Sequence, residues 1–155
     1  MKRVLFISST GGHLNELLQL DSLFKYYDSY LITEKTKSNF NLKKKYKHVN
    51  YLVYGTRKKL FTYFFKFSYN CIKSLIFFIK IRPKVIVTTG THTAVPICYI
   101  GKLFRRKIIF IETFANRNSK TLAGKIVYPI ADTFIVQWEE MLKLYPNAKF
   151  FSSIY

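Results

Sequence analysis

Short apolar runs alternate along this chain with longer segments in which apolar residues recur at helical spacing. The runs are typical of buried strands and predict strands over residues 4–9, 29–34, 49–54, 85–90, 107–112, 133–138 and 148–155. The helical spacing predicts helices over residues 12–26, 57–80, 91–104, 121–131 and 139–145. Residues 35–47 are strongly basic and weakly periodic, so we expect a mobile loop there, either without regular structure or with one helical turn. Because strands alternate with helices, residues 1–155 are predicted to form a single α/β domain with a doubly wound, mainly parallel, Rossmann-like sheet.

Three of the predicted strands end in polar turns. These turns begin with Thr10-Gly11-Gly12-His13, with Gly90-Thr91-His92-Thr93 and with Glu112. Ligands of doubly wound sheets bind at the carboxyl ends of the strands, near the point where the strand order reverses. We therefore expect the three turns to gather at one edge of the sheet and to form the ligand site.

The first turn has the composition of an anion site. Gly11 and Gly12 let the backbone approach a ligand closely, because they lack a Cβ atom. Backbone N–H groups at the start of the next helix face such a ligand, and Thr10 is predicted to cap that helix. His13 projects from the first helical turn, where it can donate to a phosphate or act as a base. A tight strand-to-helix turn with a surface histidine explains the same residues equally well.

The other strand ends also leave alternatives open. The second turn fits a second phosphate or a sugar, although an ordinary turn capped by Thr91 or Thr93 is slightly favoured. Glu112 is a candidate carboxylate base or sugar-hydroxyl acceptor, and equally a solvated strand terminus. Glu34, at the end of the second strand, is a weak candidate for a ribose ligand. The sequence lacks the GxGxxG fingerprint, the P-loop pattern, a nucleophilic triad and a metal-ligand cluster, so no cofactor and no metal are predicted.

The charge of the chain requires an anionic partner. There are 26 lysines and arginines against 8 acidic residues, a net charge of +18, which is typical of proteins that meet nucleic acid, phosphorylated ligands or an anionic membrane. No segment of about 18 apolar residues is free of charges and helix breakers, so no membrane span is predicted. Cys71 and Cys98 lie in apolar segments without metal-ligand spacing, which indicates reduced core residues of a cytosolic protein.

The helix over residues 57–80 combines basic and aromatic residues. One stripe repeats every seven residues and consists of Lys59, Lys66, Lys73 and Lys80. The face predicted to pack on the sheet, opposite the lysines, consists of Leu60, Phe64, Phe67, Cys71, Leu75 and Phe78. Phe61, Phe65, Ile72 and Ile76 widen this apolar surface, which indicates either deep burial or a contact in the plane of an anionic membrane. The surplus of aromatic residues favours the membrane, and their position away from the lysines disfavours nucleic acid.

Four segments of the sequence resemble a family of glycosyltransferase subunits. Residues 11–16, GGHLNE, match the GGHxxE loop of the membrane-associated subunit of the two-subunit N-acetylglucosamine transferase of N-glycan assembly. The later segments ETFANR, LAGKIVYPIADTFIVQW and EEMLKLYPNAKFF are similar to the family's ES-x-A-R loop, small-residue-GK helix, VQW strand and YP-x-A ending. Thr113 replaces the usual serine, and Asn116 intrudes before Arg117. The chain also looks like the bacterial capsule and exopolysaccharide enhancer subunits of this family.

This resemblance implies the N-terminal, acceptor-binding half of a GT-B glycosyltransferase. The lipid-intermediate GlcNAc transferase of peptidoglycan synthesis, similar at its glycine loop, carries both halves in one chain, whereas this family supplies the UDP-sugar half as a separate small subunit. The implied role is a non-autonomous subunit of a galactosyl- or GlcNAc-transferase that binds an undecaprenyl-diphosphate-linked saccharide. The implied catalytic residues are His13 and Glu112. The implied acceptor- and phosphate-binding residues are Thr10, Gly11, Gly12, Glu16, Gly90, Thr91, His92, Thr93, Asn116 and Arg117.

The C-terminal region is the predicted docking surface for the UDP-sugar-binding subunit. It consists of Trp138, Phe151, Ile154 and Tyr155. The last three are harder to bury in a sheet that is already complete, and aromatic residues are favoured at interface centres. The membrane contact is predicted to use Lys59, Phe61, Phe65, Lys66 and Lys73 and to hold the protein peripherally on the cytoplasmic face of the plasma membrane. Two alternatives remain, a complete small nucleotide-sugar-dependent transferase that acts alone and a basic nucleic-acid-binding module.

Overall fold

The computed structural model describes residues 1–55 and 60–154, except for the side chain of Leu60. Within these residues, seven strands form one sheet: β1 (Arg3–Ile7), β2 (Asp28–Glu34), β3 (Val49–Leu52), β4 (Val85–Thr88), β5 (Lys107–Ile111), β6 (Thr133–Val136) and β7 (Lys149–Phe150). The order is β3-β2-β1-β4-β5-β6-β7, and each neighbouring pair is parallel. The predicted doubly wound parallel sheet is confirmed, and its strand order reverses between β1 and β4.

The described helices are α1 (Gly12–Leu18), α2 (Leu42–Lys45), α3 (Leu60–Ile81), α4 (Val95–Leu103) and α5 (Leu122–Val127). The first helix is shorter than the predicted residues 12–26, because the chain turns at residues 19–20 and continues as a 3₁₀ helix over Asp21–Lys25. Asp21 there accepts hydrogen bonds from Lys45 and Tyr46 at the end of α2. The basic segment predicted as a loop contains α2 and a 3₁₀ turn. The last predicted helix is a 3₁₀ helix, Glu139–Lys143.

Each face of the sheet is covered by a different set of helices. Because successive side chains of a strand point to opposite faces, Leu5 and Ile7 face one layer while Val4 and Phe6 face the other. The first layer contains α3, α4 and α5, whose core residues include Phe78, Ile97 and Val127. The second contains α1, through Leu14 and Leu17, together with α2 and the segment between α1 and β2. The three polar turns follow the carboxyl ends of β1, β4 and β5.

The orientation of α3 differs from the prediction. The buried side of the helix is formed by Asn70, Ser74, Phe78 and Ile81, whereas Phe64 and Leu75 from the predicted sheet-facing set are 66% and 39% exposed. Asn70 decides the rotation, because its side-chain amide makes two hydrogen bonds with the backbone of Val53, just after β3. The lysines therefore lie at one edge of an exposed apolar face rather than opposite a buried one. This apolar face consists of Phe61, Phe64, Phe65, Ile72, Leu75, Ile76 and Ile79.

The C-terminal end contributes less to the sheet than its sequence predicts. The expected strand over residues 148–155 is reduced to the two residues of β7, at the edge of the sheet. Ile154 packs against the second core layer, and its N–H donates to Gln137 Oε1 over 3.1 Å. Ile154, which was expected to be hard to bury, is therefore partly buried against its own chain. Among the described residues, no helix has both the length and the apolar character needed to span a bilayer.

Candidate functional site

The turns after β1 and β4 are joined directly by hydrogen bonds. The N–H of Ser9 donates to the carbonyl of Gly90 over 3.1 Å, and the hydroxyl of Thr89 donates to the carbonyl of His13 over 2.6 Å. The ring nitrogen Nδ1 of His13 lies 2.9 Å from the carbonyl oxygen of Thr89. The convergence predicted from the strand ends is thus confirmed for these two turns, which meet where the strand order reverses.

His13 has one nitrogen bound to the fold and one available to a ligand. A carbonyl oxygen only accepts hydrogen bonds, so the contact with Thr89 requires a proton on Nδ1. The half-buried ring therefore presents Nε2, which accepts a proton when the ring is neutral and donates one when the ring is charged. Both roles predicted for His13, base and phosphate ligand, are compatible with this geometry.

The glycines beside His13 leave open space above the backbone. Gly11 and Gly12 are exposed, and a Cβ atom added to either would meet no atom within 4 Å. Gly11 has a φ of 82°, a conformation that side chains rarely adopt, and it occupies the N-cap position of α1. The prediction that Thr10 caps this helix is wrong. The hydroxyl of Thr10 instead lies 3.3 Å from that of Thr36 and accepts a hydrogen bond from Asn39.

Glu34 is the residue whose importance the sequence least revealed. Its carboxylate is buried at the end of β2, where it accepts hydrogen bonds from the Thr93 hydroxyl over 2.9 Å and from the Thr10 N–H over 3.4 Å. His92 Nε2 lies 3.7 Å from the same carboxylate. Burial raises the pKa of Glu34, while the hydrogen bonds from Thr93 and Thr10 oppose the rise. The carboxylate therefore connects the first glycine turn to the second. The sequence offered one sign of this role. Glu34 ends a predicted strand, and it is one of 8 acidic residues in a strongly basic chain.

Glu16 connects the third turn to α1. Its side chain is buried, and Oε1 accepts hydrogen bonds from the Thr113 hydroxyl over 2.7 Å and from the Phe114 N–H over 3.1 Å. Its Oε2 atom has no hydrogen-bond partner among the described residues. The structure thus joins the third turn to α1, the helix that follows the first turn, and it gives Glu16 contacts with the protein.

Glu112 lies beneath the third turn in a closed set of hydrogen bonds. Its carboxylate accepts from the Tyr145 hydroxyl over 2.7 Å, from the Thr121 hydroxyl over 2.8 Å and from the Thr113 N–H over 3.1 Å. A Cβ atom on Gly124 would collide with this carboxylate. Burial, followed by the hydrogen bond to Glu112, raises the pKa of Tyr145. Glu112 is 1% exposed, so it is not the solvated strand terminus of the alternative interpretation, and it fixes the start of α5.

The rest of the third turn is held by an aromatic and ionic cluster. Trp138 Nε1 donates to the Phe114 carbonyl over 2.8 Å, and the two rings stack with centroids 4.6 Å apart. The Arg117 guanidinium lies 5.0 Å from the Trp138 ring and pairs with Glu140, whose pKa it lowers. The Asn116 N–H donates to the carbonyl of Thr113 over 3.4 Å. Arg117 is exposed, and its described partners belong to this cluster rather than to the glycine turns.

A cleft of about 440 Å³ borders the second turn. Thr91 and His92 lie at this border, with the Thr91 hydroxyl 3.2 Å from His92 Nδ1. The His92 ring packs edge-on against Tyr63 of α3, with centroids 5.5 Å apart. The second turn is therefore more than a connection between β4 and α4, because it forms one end of a cavity.

Two residues of the predicted sites, Lys59 and Tyr155, lie outside the described residues, so their predicted roles stay predictions. Within those residues, no group of three or more histidine, cysteine, aspartate or glutamate side chains could hold a metal ion. Cys98 is fully buried, which raises the pKa of its thiol to about 12, and Cys71 is partly buried with a raised pKa for the same reason.

Comparison with known proteins places the whole chain in one sequence family. The family model described as "Oligosaccharide biosynthesis protein Alg14 like" matches residues 4–154. The chain is 38% identical over 89 residues to the UDP-N-acetylglucosamine transferase subunit ALG14 of Candida albicans, a match that covers 54% of this chain and 41% of that protein. It is 26% identical over 179 residues to the subunit of the same name from Mus musculus, covering 98% of this chain and 82% of that protein. The matches to the subunits from Candida albicans, Yarrowia lipolytica and Kluyveromyces lactis each span less than half the length of the relative.

Solved structures share the fold at low sequence identity. MurG of Acinetobacter baumannii superposes with a TM-score of 0.71 at 15% identity, over 90% of this chain and 43% of that chain. A UDP-N-acetylglucosamine 2-epimerase from Rickettsia bellii superposes with a TM-score of 0.72 at 14% identity, over 99% of this chain and 45% of that chain. The described sheet therefore corresponds in fold to less than half of each of these longer chains.

Proposed function

The chain belongs to the family of Alg14-like oligosaccharide biosynthesis proteins, and from this premise we propose that it is the acceptor-binding subunit of a hexosyltransferase. Its acceptor is an undecaprenyl-diphosphate-linked saccharide in capsular or exopolysaccharide synthesis. A separate subunit holds the UDP-sugar, which agrees with relatives that are named as subunits of a UDP-N-acetylglucosamine transferase.

The observation that carries this proposal is the junction of the two glycine turns at the reversal of the strand order. Gly11, Gly12 and the imidazole of His13 offer an open backbone and a ring nitrogen at one place. The acceptor diphosphate lies against these glycines and the Gly90 turn, where no Cβ atom of Gly11 or Gly12 stands in its way. The net charge of +18 favours an anionic acceptor.

His13 is the catalytic residue of this site. The acceptor hydroxyl attacks the anomeric carbon of the UDP-sugar, the bond from that carbon to UDP breaks, and the hydroxyl proton passes to His13 Nε2. The hydrogen bond from Nδ1 to Thr89 fixes the ring so that Nε2 keeps its direction. Glu112 supports the reaction from beneath, because it ties the third turn to α5 through Thr113 and Thr121.

The protein meets the membrane peripherally, at the cytoplasmic face of the plasma membrane. The exposed apolar face of α3 supplies hydrophobic contact, since Phe61 is 79% and Phe65 is 58% exposed. Lys66 and Lys73 are half-buried at the edge of this face, where Lys66 Nζ donates to the Tyr54 carbonyl over 3.3 Å and Lys73 Nζ lies 5.7 Å from the centroid of the Tyr69 ring. The lipid phosphates meet these ammonium groups from the side of the membrane. The membrane contact on α3 and the glycine turns then belong to one protein, at the membrane surface that holds the acceptor's lipid.

Replacing Gly12 with valine tests the acceptor site. Because a Cβ atom at Gly12 meets open space, the fold tolerates the change while the branched side chain fills the region of the diphosphate. Gly12→Val is expected to lower transfer to a lipid-linked acceptor in the presence of the UDP-sugar-binding subunit, and to leave co-purification with that subunit intact. Gln19→Val, an exposed change after α1, serves as the control. Unchanged acceptor affinity and turnover in Gly12→Val would place the acceptor elsewhere.

A further inference from the structure

The cleft beside the second glycine turn has the size of a small-molecule site. Its volume is about 440 Å³, within the range of about 300–1,000 Å³ that is common for ligand pockets. It lies between α3, α4 and α5, and it is lined by residues from all three helices. It is therefore a feature of the first helical layer and distinct from the exposed glycines of the first turn.

The lining of the cleft is apolar along its walls and polar at the side of the turn. The apolar residues are Tyr63, Phe67, Val95, Leu122, Ala123 and Ile126. The polar residues are Thr91, His92 and Thr121. A sugar or a nucleobase would find hydrogen-bond partners at the polar side of the cleft and at the Tyr63 hydroxyl. Its hydroxyl or amide groups that face the aliphatic and phenyl walls would have none, which is costly. A hydrocarbon chain would lose nothing there and would gain contact with the walls.

The wall residues continue into the apolar surface of the protein. Leu122 is 54% and Ile126 is 36% exposed, so both line the cleft and reach the surface. On α3, the lining residues Tyr63 and Phe67 flank the exposed Phe64. A chain that leaves the cleft therefore passes onto the same apolar surface that carries the proposed membrane contact.

We propose that this cleft binds the hydrocarbon chain of the acceptor lipid, in the part that directly follows the diphosphate. The proposal rests on the proposed function, because it needs the diphosphate at the glycine turns. Thr91 and His92 lie at the boundary between the two parts of the ligand. The cleft then selects a diphosphate that carries an isoprenoid chain over one that does not, and it holds the head group beside His13.

Two water-soluble probes separate the cleft from the glycine site. Farnesyl diphosphate carries both the anionic head and a short isoprenoid chain, whereas inorganic diphosphate carries only the anion. Titration of the full chain, without membranes, should give farnesyl diphosphate an affinity at least about tenfold higher. The variant Leu122→Gln/Ile126→Gln keeps the net charge and changes partly exposed side chains of the cleft wall. The matched control is Phe40→Gln/Leu103→Gln, at two exposed apolar residues outside the lining.

The outcomes distinguish this proposal from the proposed function. We expect the cleft variant to lose most of the preference for farnesyl diphosphate, to bind inorganic diphosphate as before, and to keep its circular dichroism spectrum. A preference that survives in the cleft variant, or a wild-type chain that binds both probes equally, would overturn the cleft proposal alone. A wild-type chain that binds neither probe would contradict the acceptor site as well.

Discussion

His13 shows at the scale of a single residue how the fold prepares a site. The Nδ1–H of His13 donates to the Thr89 carbonyl, and the Thr89 hydroxyl donates to the backbone carbonyl of His13. The ring and the backbone of His13 are therefore both fixed to the residue that follows β4. The remaining ring nitrogen, Nε2, is engaged by neither of these contacts. An imidazole held in this manner has a defined tautomer, which a freely rotating surface histidine lacks.

Replacing His13 separates proton transfer from positioning. His13→Ala should lower transfer by about 10²–10⁴-fold, the range expected when a general base is lost. His13→Asn can still donate to the Thr89 carbonyl but cannot take a proton, so it should be as inactive as the alanine variant. Steady-state rates with the lipid-linked acceptor and the UDP-sugar-binding subunit provide the measurement. An asparagine variant with wild-type turnover would restrict His13 to a positioning role.

Glu34 makes the stability of the site dependent on pH. Its pKa is raised on folding above the ordinary value of 4.5, so the folded protein holds this proton more tightly than the unfolded chain. Burial of the ionised carboxylate destabilises the folded protein most at pH values above the pKa of Glu34 in the folded state. This destabilisation disappears as the pH falls toward the pKa of Glu34 in the unfolded chain. Wild type should therefore gain stability relative to Glu34→Gln as the pH falls from neutrality.

Urea unfolding of wild type and Glu34→Gln at several pH values between about 5 and 8 measures this difference. Glu139→Gln, at an exposed glutamate, gives the background change. The same pair should be compared in a His92→Asn chain, because His92 lies 3.7 Å from Glu34. A difference that is constant with pH, or that grows in favour of the variant as the pH falls, would contradict the buried-charge argument.

The sequence predicted the residues of the glycine turns better than the residues that hold them. Gly11, Gly12 and His13 are neighbours in a recognisable turn, and the structure joins that turn to the second one. Glu34 contacts Thr93 across 59 residues, and no local pattern predicts such a pair. Glu16 likewise reaches Thr113 across 97 residues, so its position under the third turn depends on the strand order. Tertiary contacts of this kind require the fold.

At the scale of elements, α3 shows the limit of predictions from periodicity. The spacing of its apolar residues correctly predicted a long helix before Pro83, but the side that it predicted to face the sheet includes Phe64 and Leu75, which are exposed. The exposed side is the more apolar one, and the buried side includes Ser74 and the polar Asn70, which is held by its bonds to Val53. The resulting exposed face is more hydrophobic than predicted. The same shortage of local signals explains the early end of α1 and the two-residue β7.

Charge reversal on α3 tests the membrane contact. The protein should bind anionic vesicles, and binding should weaken with salt because exposed charges are screened over about 10 Å at 0.1 M. Lys66→Glu/Lys73→Glu should release the protein from these vesicles. Lys44→Glu/Lys47→Glu, an equal change of charge at exposed lysines in and beside α2, should bind like wild type. Sedimentation with vesicles is the measurement, and equal binding to neutral and anionic vesicles at all salt concentrations would contradict the electrostatic part.

The apolar part of the contact has its own variant. Phe61→Gln/Phe65→Gln changes two exposed rings that pack against each other with centroids 4.9 Å apart. The change should weaken vesicle binding at every salt concentration, and it should leave the dependence of that binding on salt concentration unchanged. Thermal unfolding should be nearly unchanged, because these side chains lie on the surface. Wild-type vesicle binding by this variant would exclude the aromatic face from the membrane contact.

At the scale of the whole molecule, the C-terminal segment is where the structure refines the predicted partner surface most. Phe151 is 70% exposed beside the edge strand β7, whereas Ile154 is partly buried in its own chain and Trp138 packs on Phe114. Aromatic residues are favoured at interface centres. Among the described residues of this region, Phe151 is therefore the one that we expect to contact the proposed UDP-sugar-binding subunit.

A single substitution tests this surface more cleanly than a truncation. Phe151→Ser should abolish co-purification with the UDP-sugar-binding subunit and the stimulation of transfer, while the fold stays intact. Phe40→Ser, at an exposed aromatic residue far along the chain, should have neither effect. Deletion of residues 151–155 should repeat the loss, although it also removes the packing of Ile154. Full co-purification of Phe151→Ser would move the docking surface elsewhere.

The central claim is that this chain supplies the acceptor side of a transferase and depends on a second subunit for the donor. A glycosyl transfer needs donor and acceptor held together, and much of the rate comes from that positioning. The most direct measurement is transfer from a UDP-sugar to an undecaprenyl-diphosphate-linked saccharide in anionic vesicles, with the chain alone, the UDP-sugar-binding subunit alone and both together. The account predicts transfer only with both proteins. Full turnover by the purified chain alone would contradict it.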